Sequence, residues 1–385
     1  MLRPSVFSKN WKIIPLSDAV DFLDNLRKPI TASDRIEGEY PYYGANGCQG
    51  YINDYLFDEP LLLLAEDGGH FGNPERDIAY IAAGKYWVNN HAHVLKPKSN
   101  VDLGFLYRVL QRYDVTPFIK GATRAKLTKG DASNISFPLP PLAEQKRIAA
   151  ILDKADALRR KRQQAIQLAD DFLRSVFLDM FGDPVTNPKG WDEVVLKDIA
   201  AIRSGVTKGK KVDLESSVTL PYMRVANVQD GYLDLSDIQE ITVSQTDAQK
   251  HQLEKGDLLL TEGGDPDKLG RGYIWNCEIP NCIHQNHIFS VRIHDQSFIK
   301  PEFLSALISS QRGKQYFLKV GKQTTGIATI NKTVLSEFRA FVPDLDRQEA
   351  YLKVIKAYKN ILNKYRVNDS SLFNSLSQKA FSGQL

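Results

Sequence analysis

Cys277, Cys282, His284 and His287 lie close together and carry the donor atoms of a zinc site. Their spacing fits no common finger. Asn286-His287 also recurs upstream as Asn90-His91, where no cysteine accompanies it. A metal is therefore not expected. His91 and His93 alternate along a stretch that reads as a strand, so both should face one side, in a structural or DNA-facing role. Thr207-Lys208-Gly209-Lys210-Lys211 has the lysines of a phosphate loop but lacks its spaced glycine pair. Neither a dinucleotide fingerprint, Gly-x-Ser-x-Gly nor His-Glu-x-x-His is found. Asn73-Pro74-Glu75 lacks the second proline and the aromatic ring of the amino-methyltransferase signature. Glu144-Gln145-Lys146 imitates half a nuclease motif, but on a first helical turn, where a capping role fits better. No catalytic residue and no cofactor is expected.

The chemistry that the sequence does carry is positive charge on loops. Lys120, Thr123, Arg124, Lys126 and Lys129 fall just before one long helical segment, and Lys322, Gln323, Thr324 and Thr325 fall just before another. Lys208 and Lys210 form a third basic site. Small, hydroxyl and basic side chains on glycine-flanked loops suit contacts to phosphates and base edges. A single such loop could as well be solvated surface. Recurrence at equivalent places favours DNA.

These loops belong to a repeat that runs through nearly the whole chain. Trp11 to Asp18 matches Trp191 to Asp198, and Leu61 to Gly69 matches Asp257 to Gly264. Asn90-His91 matches Asn286-His287, and Phe105-Leu106 and Phe303-Leu304 open similar short amphipathic helices. Leu139-Pro140-Pro141-Leu142 and Val342-Pro343-Asp344-Leu345 then open two long helices, which end alike at Phe181-Gly182 and Phe381-Ser382-Gly383. Before each helix come short strands punctuated by Gly, Pro, Asn and Asp. Leu61 to Leu64 and Leu258 to Leu260 read as buried strands.

In the first long helix, Pro140 and Pro141 are expected at the first turn, where a missing N–H costs nothing. Ile151, Ala155, Leu158, Ala165, Ala169, Phe172 and Val176 alternate three and four apart, with Arg162 the interruption. Ile148, Leu152, Ile166, Leu173 and Phe177 widen that stripe. The second helix has Tyr351, Ile355, Tyr358, Leu362, Tyr365, Leu372 and Leu376 at the same spacing. Two such seams most simply pair with each other. An antiparallel pair would carry the globules at opposite ends, with pseudo-twofold symmetry.

Composition agrees with this plan. A chain of 385 residues is too long for one ordinary core. No apolar run is long enough to span a bilayer, and the N-terminus lacks an apolar signal core. Three cysteines argue against a disulfide framework and for a reducing cytoplasm. The net charge of +4 permits DNA binding without demanding it.

Pro140-Pro141-Leu142-Ala143-Glu144-Gln145-Lys146-Arg147-Ile148, the repeated globule-plus-helix plan and the Phe381-Ser382-Gly383-Gln384-Leu385 ending resemble the specificity subunit of type I restriction-modification systems. That resemblance implies an α+β fold. Two similar globular target-recognition domains, 1–138 and 185–341, are separated by two long antiparallel coiled-coil-like helical spacers, 139–184 and 342–385. Each domain would read half of a split site on double-stranded DNA. The spacers, through Ile151, Leu158, Phe172, Val176, Ile355, Leu362 and Leu372, would dock two modification (methyltransferase) subunits. Restriction (translocase/nuclease) subunits would join for cleavage, and the subunit itself would be non-catalytic, without metal. The second helix start departs from the pattern, because Asp344 replaces the second proline and Asp346-Arg347 replaces Ala143-Glu144, although Gln348 keeps its place. The competing readings are a self-contained DNA methyltransferase or nuclease, and a coiled-coil adaptor that does not bind DNA.

Overall fold

The computed structural model describes residues 7, 10–121, 125–209, 213, 216–264, 270–320, 322–324, 327–366 and 369–385. Of these, 264, 322–324, 327–328, 363–366, 369–372 and 374 are described by backbone alone. The chain divides into two compact units, Met1–Ala165 with Tyr365–Leu385, and Ile166–Lys364.

In the first unit, the four-leucine stretch forms a central strand, Leu61–Ala65, because it must be apolar on both faces. Leu62 and Leu64 face one core with Val20, Leu95, Phe105, Leu106 and Phe137. Leu61 and Leu63 face another with Phe57, Tyr86 and Val94. Its antiparallel sheet runs Val20–Phe22, Ala92–Pro97, Leu61–Ala65, Ala79–Ala82. A second sheet orders Gly47–Ile52, Tyr40–Gly44 and Trp87–Val88, the last pair parallel. Lys12–Pro15 pairs antiparallel with Ser136–Leu139, the strand that leads into the first long helix.

The second unit repeats the plan. Ala200–Ser204, Ile288–Ile293, Leu258–Thr261 and Gly272–Ile274 form its four-stranded sheet. Gln239–Ser244, Ser217–Met223 and Ile283–His284 form the second, again with a parallel last pair. Asp192–Val195 pairs with Arg339–Val342 ahead of the second long helix. The short amphipathic helices expected at Phe105 and Phe303 are Leu103–Leu110 and Pro301–Ser309.

The first long helix is a single run of 40 residues, Leu142–Phe181, which at 1.5 Å per residue is about 60 Å long. Pro140 and Pro141 precede it: the Gln145 amide donates to the Pro141 carbonyl, so Pro141 is the residue before the first turn and not within it. The second is described as Leu345–Arg366 and Asp369–Phe381. In the first unit, Ile148, Ala149 and Leu152 are buried with Ala380 and Phe381 near the end of the chain. In the second unit, Phe177 and Phe181 close edge-on over Tyr351, with ring centroids 5.5 and 5.4 Å apart. Leu173, Val176 and Met180 pack there with Leu352 and Ile355. Early residues of one helix meet late residues of the other in both places, so the pairing is antiparallel.

The covered edge of the first helix is displaced from the expected seam. Leu158 and Phe172 are 46 % and 61 % exposed, whereas Leu152 and Phe177 are buried. Between them, polar side chains take positions that an apolar count assigns to solvent. Asp156 is buried, held by Arg159 at 2.8 Å and Arg160 at 2.7 Å, and the Arg159 guanidinium lies over the Phe373 ring. Long arginine stems cover apolar surface while their heads stay wet, which a hydrophobic period does not register.

Candidate nucleic-acid interface

The basic loops are built on the same scaffold in both units. The central strand of the first unit, Leu61–Ala65, is followed by Glu66, whose carbonyl accepts from the Leu127 amide at 2.8 Å. Lys120 and Lys126 exchange both backbone hydrogen bonds, at 3.0 and 2.9 Å, as the paired arms of a hairpin, and Lys126 is bridged in turn to Asp67. In the second unit, the Glu262 carbonyl accepts from the Ile330 amide, also at 2.8 Å. Gly263–Gly264 pairs with Ile327–Thr329, which pairs with Lys322–Thr324. Lys120 thus corresponds to Lys322, and Leu127 to Ile330. Gly68 turns the chain after the acidic residue with φ near +70°, a conformation that glycine adopts without strain. Each hairpin exits into a capped single helical turn: Thr128 accepts from the Asp131 amide and Asn331 from the Val334 amide.

The lysines of the first hairpin are exposed but partnered. Lys120 reaches Asp131 at 2.7 Å, Lys126 reaches Glu66 at 3.2 Å, and the Lys129 ammonium lies 5.4 Å from the Phe22 ring centroid. The bonds from Lys120 and Thr128 hold the Asp131 carboxyl below the usual carboxylate range. Lys208 is exposed on a loop that leaves from Val206, which is hydrogen-bonded to His284 and Asn286. Lys322, Gln323 and Thr324 lie on the hairpin strand of the second unit, where the backbone alone is described. Thr123, Arg124, Lys210 and Thr325 fall outside the described residues.

The histidines separate into two kinds. His93 and His91 differ in burial. His91 precedes strand Ala92–Pro97, partly exposed, its Nδ1 3.4 Å from Asp67, whereas His93 within the strand is fully buried. His93 Nδ1 meets Asp24 at 2.8 Å and Nε2 meets the Leu127 carbonyl at 2.9 Å, tying the hairpin exit to the sheet. Burial alone would raise the Asp24 carboxyl, but the His93 hydrogen bond and charge, the Val94 amide and Arg27 outweigh it and hold it low. Asp24, Glu66 and His93 are the group among the described residues whose ligand atoms converge. Arg27 already occupies Glu66 at 2.7 Å, however, and Lys126 takes its other oxygen, so the carboxylate is neutralised without a metal. In the second unit, His287 is exposed and its Nδ1 lies 2.6 Å from Glu262. The amides of Glu66 and Glu262 both donate, at 2.9 Å, to the carbonyls of His91 and His287. An acid–histidine pair therefore stands beside each hairpin. Sequence reasoning matched the histidines but missed their acids, because the partners are far apart along the chain. Cys277, Cys282, His284 and His287 do not gather: Cys282 donates to the Ile283 carbonyl, buried His284 bonds to the His251 carbonyl, and Cys277 is exposed.

Comparison with known proteins places this architecture. A family model described as the type I restriction modification DNA specificity domain matches the chain twice, over residues 8–168 and 188–369. The chain is a member of that family. It is 29% identical over 367 residues, 92% of this chain and 88% of the relative, to a protein of Haemophilus influenzae named as a type I restriction enzyme specificity subunit. It is 24% identical over 426 residues, 98% of this chain and 89% of the relative, to the type I restriction enzyme EcoKI specificity subunit of Escherichia coli K12. Among solved structures it shares the fold of the type I restriction-modification S subunit from M. genitalium, with a TM-score of 0.63 at 17% identity, covering 99% of this chain and 98% of that one.

Proposed function

We propose that this chain is the non-catalytic, sequence-specific DNA-binding subunit of a type I restriction-modification complex. Residues 1–138 and 185–341 are its recognition domains, each reading half of a split target on double-stranded DNA. The helical segments 139–184 and 342–385 join them and dock two modification (methyltransferase) subunits, with restriction subunits added for cleavage. The observation that carries this reading is the duplicated hairpin, set on a strand end beside an acid–histidine pair once in each unit. Two copies of one surface suit two half-sites. Lysines in that place give salt-sensitive phosphate contacts, and the neighbouring polar side chains can meet base edges. Lys120, Thr123, Arg124, Lys126, Lys129, Lys208, Lys210, Lys322, Gln323, Thr324 and Thr325 are the proposed contacts. Leu158 and Phe172, exposed on the first spacer helix, suit a partner subunit better than water.

The test is a domain exchange. Replacing residues 1–137 by the equivalent segment of another family member, in complex with the modification subunits, should change one half of the methylated sequence and leave the other intact. Methylation mapped on a random-sequence library reads this directly; a change in both halves, or in neither, would sink the bipartite reading.

A further inference from the structure

Gln145 and Gln348 stand at matching places in the two helix-opening phrases, and both side chains are buried, at 1 % and 0 % exposure. Gln145 Oε1 accepts from the Asp102 amide at 2.8 Å, while its Nε2 donates to the Asn100 and Pro140 carbonyls, both at 2.9 Å. Gln348 Oε1 accepts from the Lys300 amide at 2.9 Å, while its Nε2 donates to the Phe298 carbonyl at 3.1 Å and the Pro343 carbonyl at 2.9 Å. The two networks match bond for bond. Asp102 and Lys300 are the residues that precede the short helices Leu103–Leu110 and Pro301–Ser309. Each glutamine thus ties the first turn of a long helix to the loop that starts a recognition-domain helix, and to the carbonyl of its own strand-to-helix junction.

We propose that Gln145 and Gln348 are positioning residues that fix the angle at which each recognition domain leaves its own spacer helix. No other uncharged side chain of that length offers two donors and an acceptor at once, which three backbone groups at fixed places demand. An apolar contact resists separation but permits sliding; three hydrogen bonds to backbone set a direction as well. A second tie supports the first network, since Arg108 on the short helix reaches Asp153 on the long helix at 2.5 Å. In the second unit Lys300 reaches Glu349 at 3.3 Å. The requirement for this geometry explains why Gln348 persists where the residues around it diverge from the first phrase.

This inference rests on the bipartite reading, and its consequence is for spacing. A domain held at a fixed angle accepts its half-site at one distance along the DNA; a loosened one accepts neighbouring distances. The experiment uses the full chain in complex with its modification subunits, with Gln145→Met, Gln348→Met and the double variant. Initial methylation rates are taken on targets whose central spacer has the native length, one base pair more or one fewer. The preference for the native spacer should fall about tenfold in each single variant, about 1.4 kcal/mol of lost discrimination, while both half-site sequences stay required. Leu63→Ala loosens the first unit in its core away from the glutamine and is the control for stability alone. Unchanged spacer preference in the glutamine variants, or an equal loss in Leu63→Ala at matched Tm, overturns the proposal. Should the methionine variants not fold, Gln145→Glu keeps the acceptor for the Asp102 amide but has no donor for the two carbonyls, and the same criteria apply. A wild-type complex indifferent to spacer length would instead remove the bipartite reading beneath it.

Discussion

At the scale of single residues, the hairpin lysines are not free charges. Lys126 is shared with Glu66 and Lys120 with Asp131, so a DNA phosphate must compete with a protein carboxylate for each. Changing Lys126 to Ala should weaken binding at every sequence about equally, and the slope of log affinity against log salt should flatten by about one ion. A titration series in salt reads this, and an unaltered slope removes Lys126 from the interface. Asp131→Asn works in the other direction. Asp131 is partly buried and bonded to the exposed Lys120 and to Thr128, and neutralising it frees the Lys120 ammonium. Non-specific DNA affinity should rise a few-fold at low salt, with the gain lost as salt screens the exposed charges. Weaker binding in this variant would show that Lys120 needs its acid partner to be placed.

At the scale of elements, the two buried strands and the two long helices bear most of the organisation. Leu61–Ala65 has no solvent face, so Leu63→Ala leaves a void between two packed layers and should cost about 2–5 kcal/mol by chemical denaturation. The first long helix tests whether helices set the spacing of a split target. Inserting four residues in the stretch Gln163–Ala169, close to one helical turn, lengthens it by about 6 Å, nearly two base pairs of DNA rise. We expect both half-sites to be kept and the unread spacer to grow by one or two base pairs, read by methylation of a spacer-length library. Undiminished use of the original spacer would show that helix length does not measure the distance.

At the scale of the molecule, the duplicated units should differ in their response to acid. Met223 faces His284 across the parallel strand pair of the second unit, and the same register in the first unit puts Val88 opposite Tyr43. Burial, with His251 beside it, pushes the His284 imidazole down to about 4 from an ordinary 6.5. An unfolded chain takes up this proton at a higher pH than the folded one. The stability that a neutral His284 contributes is therefore complete above about pH 6.5, falls as the pH drops, and is gone near pH 4, a change of about 3 kcal/mol. In the first unit the depressed Asp24 carboxyl has the opposite chemistry: its contribution is present above its ordinary value of 3.8 and is lost only below that. The second unit should therefore loosen first between pH 6.5 and 4, seen as earlier amide exchange in residues 200–293, and His284→Val should remove that difference. Equal acid sensitivity of both units would contradict it.

The sequence by itself determined the repeat, the buried strands, the two long helices with their starts and stops, and the recurring basic loops. These are local properties: a run of leucines, a proline pair ahead of an apolar period, a glycine after the last turn. Tertiary structure decided which edge of the first helix turns inward, since a buried Asp156 and the arginines around it displace the apolar count by a residue. It decided that His93 is a strut and that His91 is half open, though the two look alike in sequence. It also gave Gln145 and Gln348 their work. Their three partners lie on the backbone, up to 50 residues away in the case of Phe298, and backbone carbonyls and amides leave no mark in a pattern of side chains.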